Sequence, residues 1–188
     1  TDIYPGHVSK PLSQPILDLS RISSLRGIGE TEDGYSFGAA TTWSEVIAAR
    51  LPASFDGLKQ AAREVGSIQI QNRATIAGNL CNASPAADGA PPLLTLDAML
   101  TLTSARGARR VALEDFVLGN RKTDRAPDEI LTAITIPHSS AHGRSAFGKL
   151  GARKYLVISI AMVAVRLVLD DRGHIAGTAI AVGACAPV

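Results

Sequence analysis

Short apolar alternations, cut by Gly, Pro and Asp, run through most of this chain, and helical periods interrupt them in only a few places. From Ser54 to about Val65 the positions Leu58, Ala61, Ala62 and Val65 return every three or four residues, which predicts a helix with one buried face. Upstream, Thr42-Trp43-Ser44-Glu45 has the spacing of a capping box, in which the Thr42 hydroxyl and the Glu45 carboxylate satisfy the orphan N–H groups of a helix running to about Arg50. Ala90–Leu96 predicts a short buried helix with Pro91 and Pro92 in its first turn, and Leu113–Val117 a single helical turn. Strand patterns fall at Tyr35–Ala40, at Ala98–Thr103 and Arg109–Leu113 as a hairpin across Ser104–Ala108, and at Ile130–Ile136, which Pro137 ends. Two weaker strand-like stretches, Ile16–Leu19 and Leu25–Ile28, lie in a Pro-, Ser- and Gly-rich opening segment.

After Pro137 the pattern changes. His138–Arg144 is small, polar and unpatterned, and it is the best boundary in the chain. Beyond it, Ser145–Leu150 and Leu156–Leu169 predict strands that feed the turn Asp170–Gly173, and Ile175–Ala184 returns as a hairpin partner. The sum is an α+β protein with mainly antiparallel strands. We expect a larger unit over residues 1–140 and the start of a second over 141–188, with no internal repeat. The chain opens at Thr1 without a methionine and stops at Pro187-Val188 just after a strand, so we expect both ends to continue.

Composition narrows the function classes. With 188 residues, 46% of them apolar, a sizeable core is within reach. A formal net charge of +2 gives no argument for nucleic acid or an anionic membrane surface. The densest basic clusters, Arg109-Arg110 and Arg121-Lys122, read as solvated surface. Two cysteines, Cys81 and Cys185, are too few for a disulfide framework, an iron–sulfur cluster or a structural zinc site, and free thiols suit a reducing cytoplasm. No run approaches the roughly 20 apolar residues of a membrane span. The histidines His7, His138, His142 and His174 lack metal-ligand spacing, and no nucleophile–base set assembles.

The chemistry concentrates between Gly66 and Leu100. Through Thr75–Asp88 almost every side chain is small or polar, although apolar elements flank the run. Thr75–Asn79 reads either as a structural turn or as a nest of successive N–H groups open to a phosphate. It is not a Walker loop, and G-x-G-x-x-G is absent. Asp88 reads either as the N-cap of the helix that follows or as an acceptor for a ligand hydroxyl. Lys149, a single cation in the small and apolar run SAFGKLGAR, either points to solvent or faces a ligand.

Taken in order, QIQNRATIAGNLCNASPAADGAPPLLTLDA resembles the flavin-binding subunit or domain of the xanthine dehydrogenase family of molybdenum hydroxylases. That family's signature, Q-I-R-N-x-A-T-I-G-G-N, then A-S-P-x-x-D, then P-x-L-L-A-L-D-A, is matched by Gln69–Asn79, Ala83–Asp88 and Pro92–Ala98. Phe37–Thr42 is similar to the family's G-A-x-T-T corner, Asp128–Leu131 to the segment before its next strand, and Phe147–Arg153 to its F-x-K-x-G-x-R strand. Ala77 stands where the family has a second glycine. The other phosphate loop, A-G-G-T-D-L, is matched only by Thr1-Asp2-Ile3.

The resemblance implies a PCMH-type (cresol-methylhydroxylase or vanillyl-alcohol-oxidase type) FAD-binding domain followed by a small α/β domain. It implies that Thr75, Ile76, Ala77, Gly78 and Asn79 hold the FAD pyrophosphate and that Asp88 bonds the polyol or ribose region. Leu131 would touch the cofactor through its backbone, and Lys149 would lie near the isoalloxazine ring, where a cation favours the reduced, anionic flavin. The implied function is an electron relay without substrate chemistry of its own. A molybdopterin-binding large subunit and a 2Fe–2S small subunit would be its partners, and NAD or another acceptor would take the electrons. The medium subunit of a carbon monoxide dehydrogenase or an aldehyde oxidoreductase shares these motifs. A flavin-free interaction module of the same fold is the rival from another class. The related 4-hydroxybenzoyl-CoA reductase subunit carries a cysteine-rich insertion that Cys81 and Cys185 cannot supply.

Overall fold

The computed structural model describes residues 1, 15–154 and 156–185. Two antiparallel sheets and a set of short helices account for most of them. The Thr1-Asp2-Ile3 match falls, beyond Thr1, outside the described residues. Ile16–Leu19 forms no strand and leaves Ile16 and Leu17 exposed. The Leu25–Ile28 expectation is replaced by a 3-10 turn at Ser23–Leu25 followed by a strand from Ile28.

Five strands make the first sheet: β1 (Ile28–Thr31), β2 (Gly34–Gly38), β3 (Met99–Ser104), β4 (Gly107–Ala112) and β7 (Ile130–Pro137). Their order is β1-β2-β7-β3-β4, with antiparallel pairing throughout, so the late strand β7 inserts between the two hairpins. Register puts Phe37, Ile134 and Leu100 in one rung across β2, β7 and β3, and all three are fully buried. Between β4 and β7 lie a helical turn, α6 (Leu113–Phe116), and a two-stranded ribbon of β5 (Val117–Gly119) and β6 (Lys122–Thr123).

The helices follow local chemistry. α1 (Trp43–Ala48) opens on the expected capping box: the Thr42 N–H donates to Glu45 Oε2 at 2.7 Å, and Thr42 Oγ1 accepts from the Glu45 N–H at 3.3 Å. α2 (Asp56–Glu64) buries Leu58, Ala61 and Ala62, the stripe the sequence marks. α3 (Ile68–Gln71), α4 (Ile76–Asn82) and α5 (Ala90–Thr95) complete the set. Trp43, Phe55, Leu58, Ile76, Leu80, Leu93 and the Phe37 rung form one apolar cluster.

The Arg109-Arg110 pair is not simply solvated. Arg109 donates from Nε to Glu129 Oε1 and from Nη1 to Asp124 Oδ2, both at 2.7 Å, and Arg110 reaches Asp33 at 3.1 Å. Arg109 holds the Glu129 carboxyl at about 2, helped by the Ala126 N–H.

The second sheet comprises β8 (Arg144–Leu150), β9 (Ala161–Leu169) and β10 (Ile175–Gly183), ordered β10-β9-β8. β9 begins at Ala161, later than the expected Leu156, because the connection from β8 loops back and the Ile160 N–H donates to Leu150 O at 2.8 Å. The sheet's inner face meets α2 and α5. Ser145 Oγ donates to Ser54 O at 2.6 Å and accepts from the Gly57 N–H at 2.8 Å. A Cβ at Gly57 would stand 3.0 Å from that hydroxyl, so α2 comes this close to β8 because the position is glycine. The Phe147 N–H donates to Gln60 Oε1, and Arg166 Nε donates to Thr95 O at the end of α5. The outer face carries Val163, Leu167, Ile180 and Val182, all exposed.

Candidate functional site

The site forms where α1 and α4 begin side by side. Thr42 and Thr75 face each other in an isolated antiparallel bridge, the Trp43 N–H donates to Ala74 O at 3.2 Å, and the Ile76 N–H donates to Thr41 O at 3.0 Å. Each threonine caps the helix that follows it, Thr75 by accepting from the Gly78 N–H at 3.0 Å.

This geometry corrects the expected turn at Thr75–Asn79. Ile76, Ala77, Gly78 and Asn79 are the first residues of α4, and successive open N–H groups do not form: Ile76 N–H, Gly78 N–H and Asn79 N–H bond Thr41 O, Thr75 Oγ1 and Thr75 O. Ala77 N–H has no partner among the described residues. Ala77 also avoids left-handed backbone, so the family's glycine is not required for conformation there. Gly78 is exposed, and a Cβ at that position would meet only Thr75 Oγ1.

Asp88 caps nothing. The N-cap of α5 is Gly89, without a side-chain bond. Asp88 is instead buried at 7% exposure and divides its oxygens between two distant residues: Oδ2 accepts from Lys149 Nζ and Oδ1 from Ser159 Oγ, both at 2.8 Å. Lys149 therefore does not point to solvent; its side chain is 6% exposed, on the inner face of β8. Ser159 carried no sequence signal, because its partner lies 71 residues away and its neighbours are apolar.

Asn79 packs against Gly89, the residue after Asp88. Its Oδ1 is buried without a hydrogen-bond partner among the described residues, as is Trp43 Nε1. Both side chains press on Gly89, where a Cβ would meet Trp43 Cη2 at 2.5 Å and Asn79 Oδ1 at 2.7 Å. Leu131, 3% exposed on β7, joins the same apolar cluster as Ile76 and Leu80. The structure thus packs Asn79 against Gly89, pairs the preceding Asp88 with Lys149, sets Thr75–Gly78 one turn from Asn79, and keeps the Leu131 side chain in the core. Cys81 on α4 is half-buried, and burial pushes its thiol up while Arg125 pulls it down. Among the described residues no three His, Cys, Asp or Glu side chains gather as a metal site, and no helix is long and apolar enough to cross a membrane.

The residues fit a flavin dinucleotide. A buried amide oxygen lacking a donor suits a ribityl or ribose hydroxyl, an open amide beside an exposed glycine suits a phosphate, and a buried ammonium suits a ring that gains negative charge.

Residues 7–139 match the family described as the FAD binding domain in molybdopterin dehydrogenase, and the chain belongs to that family. The nicotinate dehydrogenase FAD-subunit of Eubacterium barkeri is 37% identical over 166 residues, 84% of this chain and 55% of that protein. The xanthine dehydrogenase FAD-binding subunit of Escherichia coli O157:H7 is 37% identical over 179 residues, 92% of this chain and 60% of that protein. Among solved structures, the reconstituted CO dehydrogenase from Oligotropha carboxidovorans superposes with a TM-score of 0.80 at 32% identity, over 88% of this chain and 57% of that one. The chain therefore spans a little over half the length of these relatives. The fold is the antiparallel α+β architecture of that structure.

Proposed function

We propose that this chain binds FAD and serves as the flavin-carrying electron relay of a xanthine-dehydrogenase-type molybdenum hydroxylase. The observation that carries the proposal is the meeting of Asp88 and Lys149. Lys149 lies outside the matched residues 7–139, yet its ammonium sits 2.8 Å from an aspartate inside them. Burying charge is costly unless it is paired and hydrogen-bonded, and this pair is buried in the chain next to Gly89, against which the unpartnered Asn79 Oδ1 packs.

In this proposal Thr75, Ile76, Ala77, Gly78 and Asn79 border the pyrophosphate. Ala77 N–H is the free donor, the bare Gly78 lets the anion approach, and Asn79 Oδ1 takes a hydroxyl proton. Each Asp88 oxygen has accepted one bond and retains capacity for another, so it can also hold a cofactor hydroxyl. Leu131 contributes backbone, and the Lys149 ammonium favours negative charge on the ring. FAD, when bound, supplies the chemistry of taking electrons singly and giving them up in pairs. A molybdopterin-binding large subunit and a 2Fe–2S small subunit are the proposed partners, NAD or another electron acceptor is the proposed outlet, and the cytoplasm is the proposed compartment. We also keep the division at residues 140/141 as a proposal, with the FAD domain before it and a second domain beginning after it.

The test is flavin occupancy of the full-length protein. Gly78→Leu and Asn79→Leu should lower retained FAD, read from flavin absorbance per protein, while far-UV circular dichroism stays unchanged. Undiminished occupancy in both variants would remove the pyrophosphate assignment, and a colourless wild type that ignores added FAD would remove the proposal.

A further inference from the structure

We infer that Ser159 is a positioning residue for the Lys149 cation, acting through Asp88. The inference rests on the FAD-binding proposal above. The irregular segment before β9 shows an inverted burial pattern: Ile158 and Ile160 are 79% and 57% exposed, whereas the hydroxyl residue between them is 7% exposed. Left to apolar burial alone, the segment would turn the other way, with the isoleucines inside. The Ser159 hydroxyl is held inward by its bond to Asp88 Oδ1, and the backbone is pinned one residue later by the Ile160 N–H bond to Leu150 O, beside Lys149.

The consequence is geometric. A carboxylate held by one oxygen can rotate about its side-chain bonds and carry its partner with it. Asp88 is held at both oxygens, so its plane is fixed and so is the Nζ position of Lys149. Of the three ammonium donors, the described residues engage the one on Asp88, and the direction of the others follows from that single fixed bond. Ser159 makes no hydrogen bond to Lys149, so any effect on the cation passes through the aspartate.

A double-mutant cycle in the full-length protein tests this, with FAD dissociation constant and flavin midpoint potential as readouts. S159A should weaken FAD binding about tenfold and shift the midpoint when Lys149 is present, the size expected for losing a hydrogen bond to a charged group. In the K149Q background the same change should cost less than about twofold, and S159T, which keeps the hydroxyl, should restore wild-type values. Equal losses in both backgrounds, or an unmoved potential, would overturn the inference while leaving FAD binding intact. A wild type that binds no FAD would bring down the parent proposal and this one together. Should S159A fail to fold, S159C takes its place in the cycle with the same expected non-additivity.

Discussion

The two sheets are held by different forces. The five-stranded sheet and its helices contain the largest fully buried side chains, Trp43, Phe37, Phe55 and Phe116 among them. The three-stranded sheet buries only Met162 and Ala164 among its apolar residues and is fastened by polar contacts: Ser145 to Ser54 and Gly57, Lys149 and Ser159 to Asp88, and Arg166 to Thr95 and Asp97. Apolar burial is broad and non-directional, whereas a polar latch fails when one atom is lost. The first sheet should therefore unfold with the whole protein, and the second should open at lower free energy.

Substitutions separate the two regimes. The largest effect should come from Phe37→Ala, which empties the central rung and costs roughly 3–5 kcal/mol; a urea midpoint close to wild type would contradict the idea of one continuous core. Lys149→Met leaves Asp88 buried without its cation and should cost about 3 kcal/mol. Hydrogen exchange should report that loss as faster exchange in β9 with β7 unchanged, and uniform acceleration would show that the sheets open together. Arg166→Ala removes the bond to Thr95 O and should loosen the same sheet by roughly 1–2 kcal/mol on the same assay.

The first sheet has a test of its own in the acid response of the Arg109–Glu129 pair at its rim. Glu129 is held at about 2, below its ordinary 4.5. Its contribution is complete above the unfolded value and lost as pH falls toward 2. Melting curves from pH 5 to about 2 should show a shallower decline in Glu129→Gln than in wild type, and parallel curves would exclude this source of acid sensitivity. Ile180→Thr, on the bare outer face of the second sheet, should change stability by less than about 0.5 kcal/mol. It should raise solubility, measured by light scattering; a large stability loss would mean that face is already covered.

What was legible in the sequence follows the same divide. The capping box at Thr42 and Glu45, the α2 stripe and the β3–β4 hairpin depend on residues a few positions apart, and each appears where its local chemistry puts it. The small and polar run around Gly78 reads as a turn, whereas the structure makes it the start of α4. The Ile76, Ala77 and Leu80 spacing was present, but its helical meaning depends on the bridge to Thr42. α3 gave no periodic signal over its four residues. At the site, family resemblance singled out Asp88 and Lys149, yet their direct bond spans 61 positions and no local pattern encodes it. Ser159 was invisible for the same reason.

The loop from Ala83 to Asp88 is tied at several points to distant parts of the chain. Ala83 O accepts from the Arg121 N–H at 2.8 Å, Pro85 O accepts from the Ala184 N–H at 3.1 Å, and Asp88 holds Lys149 and Ser159. Whatever occupies that loop is thermodynamically linked to the β5–β6 ribbon and to the seating of the second sheet. A ligand at a hundred times its dissociation constant adds about 2.7 kcal/mol to the state it selects, more than the Arg166 latch contributes. Calorimetry would then record the second sheet's early opening merging into the main transition as ligand is added, so the bound small molecule would act as a structural fastener as well as a redox group.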